Sequence, residues 1–445
     1  MKRIVDYYLQ QWKEYEFRKP LLLRGARQIG KTYAVRQLGK TYDSFVEINL
    51  EKIEAARSIF QHDLYPEKMI EELMKITGKQ IIPGETLLFL DEIQIVPRTI
   101  TALRYFYEEM PELHVIATGS LLDFAIEEVG LPVGRLQSFY MRPISFIEYL
   151  AAADSSAFNV VLDHNNFDAL SNHDAYLKHV QTYIMIGGMP EATQKWIDTK
   201  NAFDVSKSHA SILATYRQDF NIYSKKYQIK YVSAVFNHIP HNVGAKFKYE
   251  AIDGGFRKQD LVPALELLVT AGIATKVFYS AGQGIPLAGQ RNENDYRVVF
   301  IDVGLTQKYL GLDISDWFEH PHPEVINKGS LIEAFVGQEI AAYSQSDMQT
   351  DLYYWHKDST PQAEVDYLIA LKYHITPVEC KAGKGSTLHS LHYFLDTHLQ
   401  SNYGIRFSTQ NYSVREKIHS YPLYAIAKVM IEQNREMSAA VRQLL

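Results

Sequence analysis

One stretch near the start of the chain has the residue types and the spacing that phosphate binding requires. Residues 25–32 read Gly-Ala-Arg-Gln-Ile-Gly-Lys-Thr and fit the pattern G-x-x-x-x-G-K-[ST] at every position. The two glycines let the backbone curl so that its N–H groups surround phosphate oxygens. Lys31 would reach the β- and γ-phosphates of a nucleotide, and Thr32 would direct its hydroxyl at Mg²⁺. The predicted nucleotide site therefore comprises Gly25, Ala26, Arg27, Gln28, Ile29, Gly30, Lys31 and Thr32.

Two adjacent acids follow an apolar run later in the chain. Asp91 and Glu92 come directly after Leu87-Leu88-Phe89-Leu90. Because a carboxylate beside a buried apolar run is costly without a cation partner, we expect Asp91 to support the Mg²⁺ ion. Glu92 would orient and deprotonate the attacking water. The alternative is that both acids cap the helix that follows them.

Three further residues are candidates for the same nucleotide. Thr118 and Ser120 follow the apolar run 114–117, and hydroxyls at the carboxyl end of a parallel strand could sense the γ-phosphate. They could equally cap the next helix. Arg135 could neutralise charge that develops on the γ-phosphate, within one chain or from a neighbouring subunit, or it could form a surface salt bridge.

The elements that must position these residues can be read from the first 150 positions. Short apolar runs alternate there with helical patterns, which is typical of a parallel α/β sheet with helical crossovers. The predicted strands are Leu21 to Leu23, Phe45 to Ile48, Thr86 to Leu90, His114 to Ala117 and Leu136 to Tyr140. Each candidate of the nucleotide site lies just after or just before one of these runs.

The pattern changes after Pro143. Helices come first, with a polar loop predicted from Asp163 to Asp174. Further helices then lead to a two-stranded ribbon, Ile273 to Tyr279 and Tyr296 to Ile301, which suggests a winged helix. The last region has a helix followed by three strands and a helix.

The motifs together resemble the prokaryotic AAA-type P-loop ATPases that carry a C-terminal domain of unknown function. The resemblance rests on Gly25 to Thr32, Leu87 to Gln94, Ala117 to Ser120, Gly134-Arg135, Arg142 to Phe146, Gly187 to Glu191 and Ile301 to Leu305. It implies an AAA-like ATPase core of the type with an additional strand and a catalytic glutamate. It also implies a winged-helix-like middle and a restriction-endonuclease-like end.

The expected fold class is therefore α/β, with four regions along the chain. They are a P-loop AAA-like ATPase domain at 1–150, a helical linker region at 151–205, a winged-helix-like domain at 206–324 and a restriction-endonuclease-like domain of the PD-(D/E)XK type at 325–445. ATP and Mg²⁺ are the expected cofactors.

A second acidic cluster lies in the last region. Glu379 and Lys381 are two apart on one strand and so share a face, which could meet Asp366 across a hairpin. This order resembles the restriction-endonuclease-like superfamily. The resemblance implies that Asp366 and Glu379 hold a divalent metal, that Lys381 positions or activates water and that Glu333 is the fourth member. The alternatives are half-exposed strands whose charges face solvent, or an inactive relic of that fold.

The charge composition limits how the chain could bind nucleic acid. Of the 445 residues, 46 are Lys or Arg and 52 are Asp or Glu, so the formal charge of -6 gives no bulk attraction to nucleic acid. DNA binding would need a local patch, and one basic stretch could meet phosphates or be a solvated helical face. Its residues are Lys225, Lys226, Lys230, Lys246, Lys248, Arg257 and Lys258, set against Glu250 and Asp253.

Two functions remain open at this point. The first is an ATPase coupled to nucleic acid, and the second is a nucleotide-dependent switch whose C-terminal domains are silent modules that bind a protein partner. The single cysteine, Cys380, excludes an internal disulfide and a cysteine-based zinc site. With no long apolar segment, we expect a cytoplasmic protein with no membrane association. The oligomeric state is not predicted.

Overall fold

A computed structural model describes most of the chain. The described residues are 1–119, 122, 126, 129–163, 172–223, 228–319, 329–344, 346–347, 350–360, 362–371, 373–382, 388–432 and 434–445. The chain forms two compact units. The first contains Lys2–Arg142 and Gln345–Gln349, and the second contains Met1, Pro143–Ser344 and Thr350–Leu445. The division into four regions stays a prediction. Most of the loop predicted from Asp163 to Asp174 lies outside the described residues.

The first unit is a five-stranded sheet flanked by helices. Its strands are β1 (Leu21–Arg24), β2 (Ser44–Asn49), β3 (Thr86–Asp91), β4 (His114–Thr118) and β5 (Gln137–Tyr140). Its helices include α1 (Ile4–Glu14), α2 (Lys31–Gly39), α3 (Glu54–Ile59), α4 (Pro66–Thr77) and α5 (Thr99–Glu109). A short 3₁₀ turn, Ile93–Ile95, follows β3.

The order of the strands is β2-β3-β4-β1-β5, and every neighbouring pair is parallel. Strand β4 thus lies between β1, which leads into the phosphate-binding motif, and β3, which ends at the acids. This order confirms the predicted parallel α/β sheet with an additional strand. Because all five strands point the same way, their carboxyl ends meet at one edge, where ligands bind to such sheets.

The core explains why these strands read as continuous apolar runs. Residues 87–90 on β3 and residues 21–23 on β1 have no solvent exposure. A parallel strand covered by helices on both faces has no polar side, so its residues are apolar at successive positions rather than alternate ones. Helices α3, α4 and α5 supply one of the covering layers through Ile59, Leu73 and Phe106.

The second unit begins with helices and ends in a mixed sheet. Its helices are α6 (Phe146–Ala153), α7 (Ser155–Asp163), α8 (His173–Ile186), α9 (Pro190–Thr199), α10 (Ala202–Tyr223), α11 (Ile229–His238), α12 (Lys258–Thr270), α13 (Val303–Tyr309), α14 (Ile314–Glu319), α15 (Gly329–Ala342), α16 (His389–Thr397), α17 (Ile426–Ile431) and α18 (Arg435–Arg442). Its strands are β6 (Ala274–Ser280), β7 (Arg291–Phe300), β8 (Leu352–Lys357), β9 (Ala363–Leu371), β10 (His374–Lys381), β11 (Gly404–Ser408), β12 (Ser413–Arg415) and β13 (Ile418–Pro422).

The ribbon that the sequence predicts as a wing belongs to this sheet. The order is β12-β13-β11-β10-β9-β8-β6-β7, so the ribbon β6–β7 forms one edge of eight strands. Strand β6 pairs antiparallel with β7 and parallel with β8. Pairing with β8 satisfies the backbone of β6 on its second side, and Val277 and Phe278 of β6 are buried. Described helices lack the combination of length and apolarity that crossing a bilayer requires.

Candidate functional site

The phosphate-binding motif folds as a loop between β1 and α2. Gly30 precedes the helix with a φ of 92°, a left-handed backbone conformation that favours glycine. The helix therefore starts at Lys31, and the N–H groups of its first turn have no partners within the helix. These groups and the positive end of the helix dipole face the loop, which suits a bound phosphate.

Lys31 is buried at the base of this loop. Its Nζ donates to the carbonyl oxygens of Gly25 and Ala26, each at 2.8 Å, and only 8% of the residue is exposed. Burial lowers the pKa of Lys31 to about 8, and the carboxylates of Glu92 and Asp91 oppose that change. The two carbonyl contacts keep the ammonium group satisfied, and phosphate oxygens could replace them.

The carboxylate of Asp91 connects the ends of β2, β3 and β4 with the phosphate-binding motif. Its Oδ2 accepts from Thr32 Oγ1 and from Asn49 Nδ2, each at 3.3 Å. Its Oδ1 accepts from the backbone N–H of Glu92 at 3.0 Å and from the hydroxyl of Thr118. Asp91 thus contacts the phosphate-binding motif through Thr32, and the metal that the two residues are expected to share stays a prediction.

Glu92 has an unusual backbone. It adopts a φ of 56°, in the left-handed region, which turns the chain sharply at the end of β3. Its Oε2 accepts a hydrogen bond of 2.5 Å from Nε2 of Gln94. The side chain is half-buried and hydrogen bonded to Gln94, and Glu92 caps no helix with its side chain, contrary to the alternative reading of these acids.

The oxygen atoms of Thr32 and Asp91 are the ligands that Mg²⁺ prefers. Mg²⁺ usually takes only one or two protein ligands and completes its shell with water and substrate phosphates, so this pair fits the ion. In the described part of the chain there is no group of three or more His, Cys, Asp or Glu residues arranged to hold a metal. A site that relies on nucleotide phosphates does not need such a group.

Comparison with known proteins agrees with this geometry. Residues 17–150 match the model of an AAA domain. The chain carries an AAA-type P-loop ATPase domain. Two domains of unknown function follow it, since residues 177–316 match the model DUF8612 and residues 328–426 match the model DUF4143. No curated protein matches the chain.

Two solved structures are similar to the chain at 12% identity. One is the Orc1 protein of Aeropyrum pernix in complex with DNA, where the match covers 68% of this chain and 90% of the other, with a TM-score of 0.21. The other is PCH-2 of C. elegans, with 60% and 65% covered and a TM-score of 0.21. The order of the strands and the match to the AAA domain assign the fold of the first unit.

The remaining candidates of the AAA domain lie in different surroundings. Thr118 is buried, and its hydroxyl donates to Asp91. Ser120 lies outside the described residues. Arg135 is exposed, and its Nε donates to Glu108 at 2.9 Å, which is the surface salt bridge considered as its alternative role. A part for Arg135 at a γ-phosphate stays a prediction.

Two residues of this site were missed by the sequence reasoning. Asn49 follows the predicted strand 45–48 directly, so its position at a carboxyl end was a signal that could have found it. Gln94 lies two residues beyond Glu92 and gave no chemical signal of its own. Only the turn at Glu92 brings its amide back to the carboxylate.

The acidic cluster of the second unit does assemble around the hairpin β9–β10. Cys380 donates its N–H to Asp366 Oδ2 at 2.7 Å, and Lys381 Nζ lies 2.5 Å from Glu379 Oε1. Glu333 approaches from α15. Burial, followed by the charge of Asp366, raises the pKa of both Glu333 and Glu379.

An arginine that the sequence reasoning missed lies within this cluster. Nη1 of Arg297, from β7, is 2.5 Å from Glu333 Oε1 and 3.9 Å from Asp366 Oδ1, and Nη2 contacts Glu364. The guanidinium also lies 4.4 Å from the ring centroid of Tyr354. The rule used for Asp91, that a charge within an apolar run needs a partner, would have identified Arg297 between Tyr296 and Val298.

Three stretches that carry the family resemblance, 142–146, 187–191 and 301–305, are hydrogen bonded to one another. Asp302 accepts from the N–H of Gly188 at 2.6 Å and from that of Leu305 at 2.9 Å, so it caps α13 and ties it to the start of α9. Ile144 donates its N–H to the carbonyl of Gly188 at 2.7 Å. Burial raises the pKa of Asp302 to about 6. These hydrogen bonds hold the three stretches together within the second unit.

One residue of the basic stretch forms an ion pair within the protein. Lys246 pairs with Asp295 at 2.7 Å. Lys246 is nevertheless exposed, as are Lys230, Lys248, Arg257 and Lys258. Lys225 and Lys226 lie outside the described residues.

Proposed function

We propose that this chain hydrolyses ATP with Mg²⁺ and that Lys31, Thr32, Asp91 and Glu92 carry the reaction. The observation that supports it most is the hydrogen bond from Thr32 to Asp91, which joins the phosphate-binding loop to the acids across the intervening strand β4. This contact places a hydroxyl and a carboxylate at one point, with Glu92 the next residue along the chain.

Each residue has a separate task in this proposal. Lys31 exchanges the carbonyls of Gly25 and Ala26 for the β- and γ-phosphate oxygens, and the loop N–H groups bind the same phosphates. Thr32 and Asp91 hold Mg²⁺. When bound, the ion neutralises charge on the phosphates. Glu92 accepts the proton of the attacking water.

The test compares ATP binding with ATP turnover in one variant. Glu92→Gln keeps the shape and the contact partners of the side chain but removes the base, so ATP affinity should persist while turnover falls by about 100-fold or more. Glu47→Gln is the matched control, because Glu47 pairs with Arg36 on the flank of the same unit. Turnover at the wild-type rate in Glu92→Gln would overturn the proposal.

We further propose that the second unit binds nucleic acid and that this binding is coupled to ATP hydrolysis. The exposed cations Lys230, Lys248, Arg257 and Lys258 support this, since exposed positive charges can contact the phosphates of a nucleic acid. DNA would then raise the rate of ATP hydrolysis.

A second candidate is a nucleotide-dependent switch that binds a protein partner. It is favoured by the position of Arg297, which pairs with Glu333 and lies 3.9 Å from Asp366, two of the acids that a metal-dependent nuclease would need. The two candidates differ in one measurement. Duplex DNA at low salt should stimulate ATP turnover in the first and leave it unchanged in the second.

A further inference from the structure

The acidic cluster of the second unit already contains a positively charged side chain, the guanidinium of Arg297. The resemblance to restriction-endonuclease-like domains implies a divalent metal between Asp366 and Glu379, but the guanidinium of Arg297 lies beside Asp366 and contacts two further acids of the cluster. It bonds to Glu333 at 2.5 Å, contacts Glu364 and lies 3.9 Å from Asp366. A guanidinium and a divalent metal would compete for this space and for these negative charges.

The oxygens that would bind a metal are largely engaged. Asp366 Oδ2 accepts from the backbone of Cys380 at 2.7 Å, and Glu379 Oε1 is 2.5 Å from Lys381 Nζ. One buried oxygen, Glu379 Oε2, has no hydrogen-bond partner in the described structure. A metal shared by Asp366 and Glu379 would therefore have to displace the N–H of Cys380, the ammonium group of Lys381 or the guanidinium that lies 3.9 Å from Asp366 Oδ1.

Arg297 is also fixed in place. Its side chain is 3% exposed, and its guanidinium rests on the ring of Tyr354. The hydroxyl of Tyr354 in turn donates to Asp295 at 2.5 Å, and Asp295 pairs with Lys246. To leave the cluster, the buried guanidinium of Arg297 would have to lose its ion pairs with the carboxylates and its contact with the aromatic ring at the same time.

We propose that Arg297 is the resident cation of this cluster and stands where the implied metal would bind. The cluster then ties β7 to α15 and β9 through charge pairs, and it does not cleave nucleic acid. The proposal does not depend on the ATPase activity.

The experiment counts Mn²⁺ bound to the full-length chain without nucleotide, from the electron paramagnetic resonance signal of free Mn²⁺. Wild type and Asp366→Asn should bind the same number of ions. Arg297→Met removes the guanidinium and keeps an apolar stem, so this variant should bind one Mn²⁺ more than wild type. The affinity of the cluster for Mn²⁺ should be at least tenfold higher in the variant than in wild type. Adding Asp366→Asn to Arg297→Met should abolish that gain.

The matched control is Arg291→Met on the same strand. Arg291 pairs with Glu293 and Asp351 near the surface, so its loss should not create a metal site. Melting temperature gives a second readout: Mn²⁺ should raise it for Arg297→Met and leave it unchanged for wild type and Arg291→Met.

Two results would overturn the proposal. One is Mn²⁺ binding or Mn²⁺-dependent DNA cleavage in wild type that Asp366→Asn removes. The other is a folded Arg297→Met variant that gains no Mn²⁺. If Arg297→Met does not fold, the comparison of wild type with Asp366→Asn still decides, because equal Mn²⁺ counts support the proposal and unequal counts contradict it.

Discussion

The side-chain amide of Gln94 donates a hydrogen bond of 2.5 Å to Oε2 of Glu92, the residue proposed to activate water. Gln94 has room to do so because residue 119, at the end of β4, is a glycine. A Cβ at Gly119 would lie 2.4 Å from Oε1 of Gln94, well inside van der Waals contact. The end of β4 therefore sets the position of Gln94, and Gln94 orients Glu92.

Loss of this hydrogen bond should slow catalysis without weakening ATP binding. Hydrogen bonds to charged groups contribute about 1.5–3 kcal/mol, so Gln94→Ala should reduce kcat by roughly ten- to a hundredfold with KM unchanged. Gly119→Ala should act in the same direction by displacing Gln94. Gln10→Ala is the control, because Gln10 makes the same type of bond to Glu14 on α1. Equal kcat in Gln94→Ala and wild type would contradict a positioning role.

Lys31 should be essential for nucleotide binding. Lys31→Met keeps the apolar stem but removes the ammonium group, and we expect the affinity for Mg²⁺–ATP, measured by calorimetry, to fall by about 100-fold. Lys40→Met, at the end of the same helix, should bind ATP as wild type does, since Lys40 is exposed there. Equal affinities for wild type and Lys31→Met would refute the assignment of the loop.

The exposed cations of the basic stretch give a salt-dependent prediction. If they contact duplex DNA, the logarithm of the binding constant should fall with the logarithm of salt concentration by about 0.9 per phosphate contacted. The double variant Lys248→Glu with Arg257→Glu should then lower that slope by about 2. Lys246 is left unchanged because it pairs with Asp295.

Fluorescence anisotropy with a labelled duplex over a salt series measures this slope. Lys178→Glu is the control, because Lys178 is exposed on α8 outside the stretch. A complete lack of DNA affinity in wild type at low salt would leave the protein-binding switch as the better proposal.

Stability should fall as pH rises because of Glu339. This buried carboxyl on α15 accepts from the N–H of Phe146 at 2.9 Å and from the hydroxyl of Tyr343, and burial raises its pKa to about 8. Its ordinary pKa is 4.5. Between those two values the folded chain retains a proton that the unfolded chain has released, so the free energy of unfolding decreases with increasing pH.

The measurement compares melting temperatures at pH 5.5 and pH 8 in wild type and Glu339→Gln. A pKa raised by one unit corresponds to about 1.4 kcal/mol, so wild type should lose stability across this range. Glu339→Gln should lose less, since a neutral amide has no proton to release. Glu148, Tyr183 and Tyr343 face the same carboxyl and remain in both proteins. An identical pH dependence in the two proteins would show that Glu339 does not titrate in this range.

The sequence by itself determined the parallel sheet and the loop that carries the phosphate site. Both are local properties: an apolar run predicts a strand, and Gly30 followed by Lys31 predicts a left-handed turn into a helix. The strands at 86–90 and 114–117 were predicted within one or two residues of their observed bounds. The acids after the first of these strands were found because charge beside an apolar run needs a partner.

Only the tertiary structure decided which partners those charges have. Thr32 and Asp91 are 59 positions apart, and they meet because β4 lies between β1 and β3 in a parallel sheet. Arg297 and Glu333 are 36 positions apart, and they meet because the ribbon joins the eight-stranded sheet instead of forming a separate wing. Local spacing fixes the shape of a segment, but the order of strands and the packing of helices select its neighbours. The neighbours of a segment depend on how much apolar surface the whole unit buries, and a short sequence pattern carries no information about that.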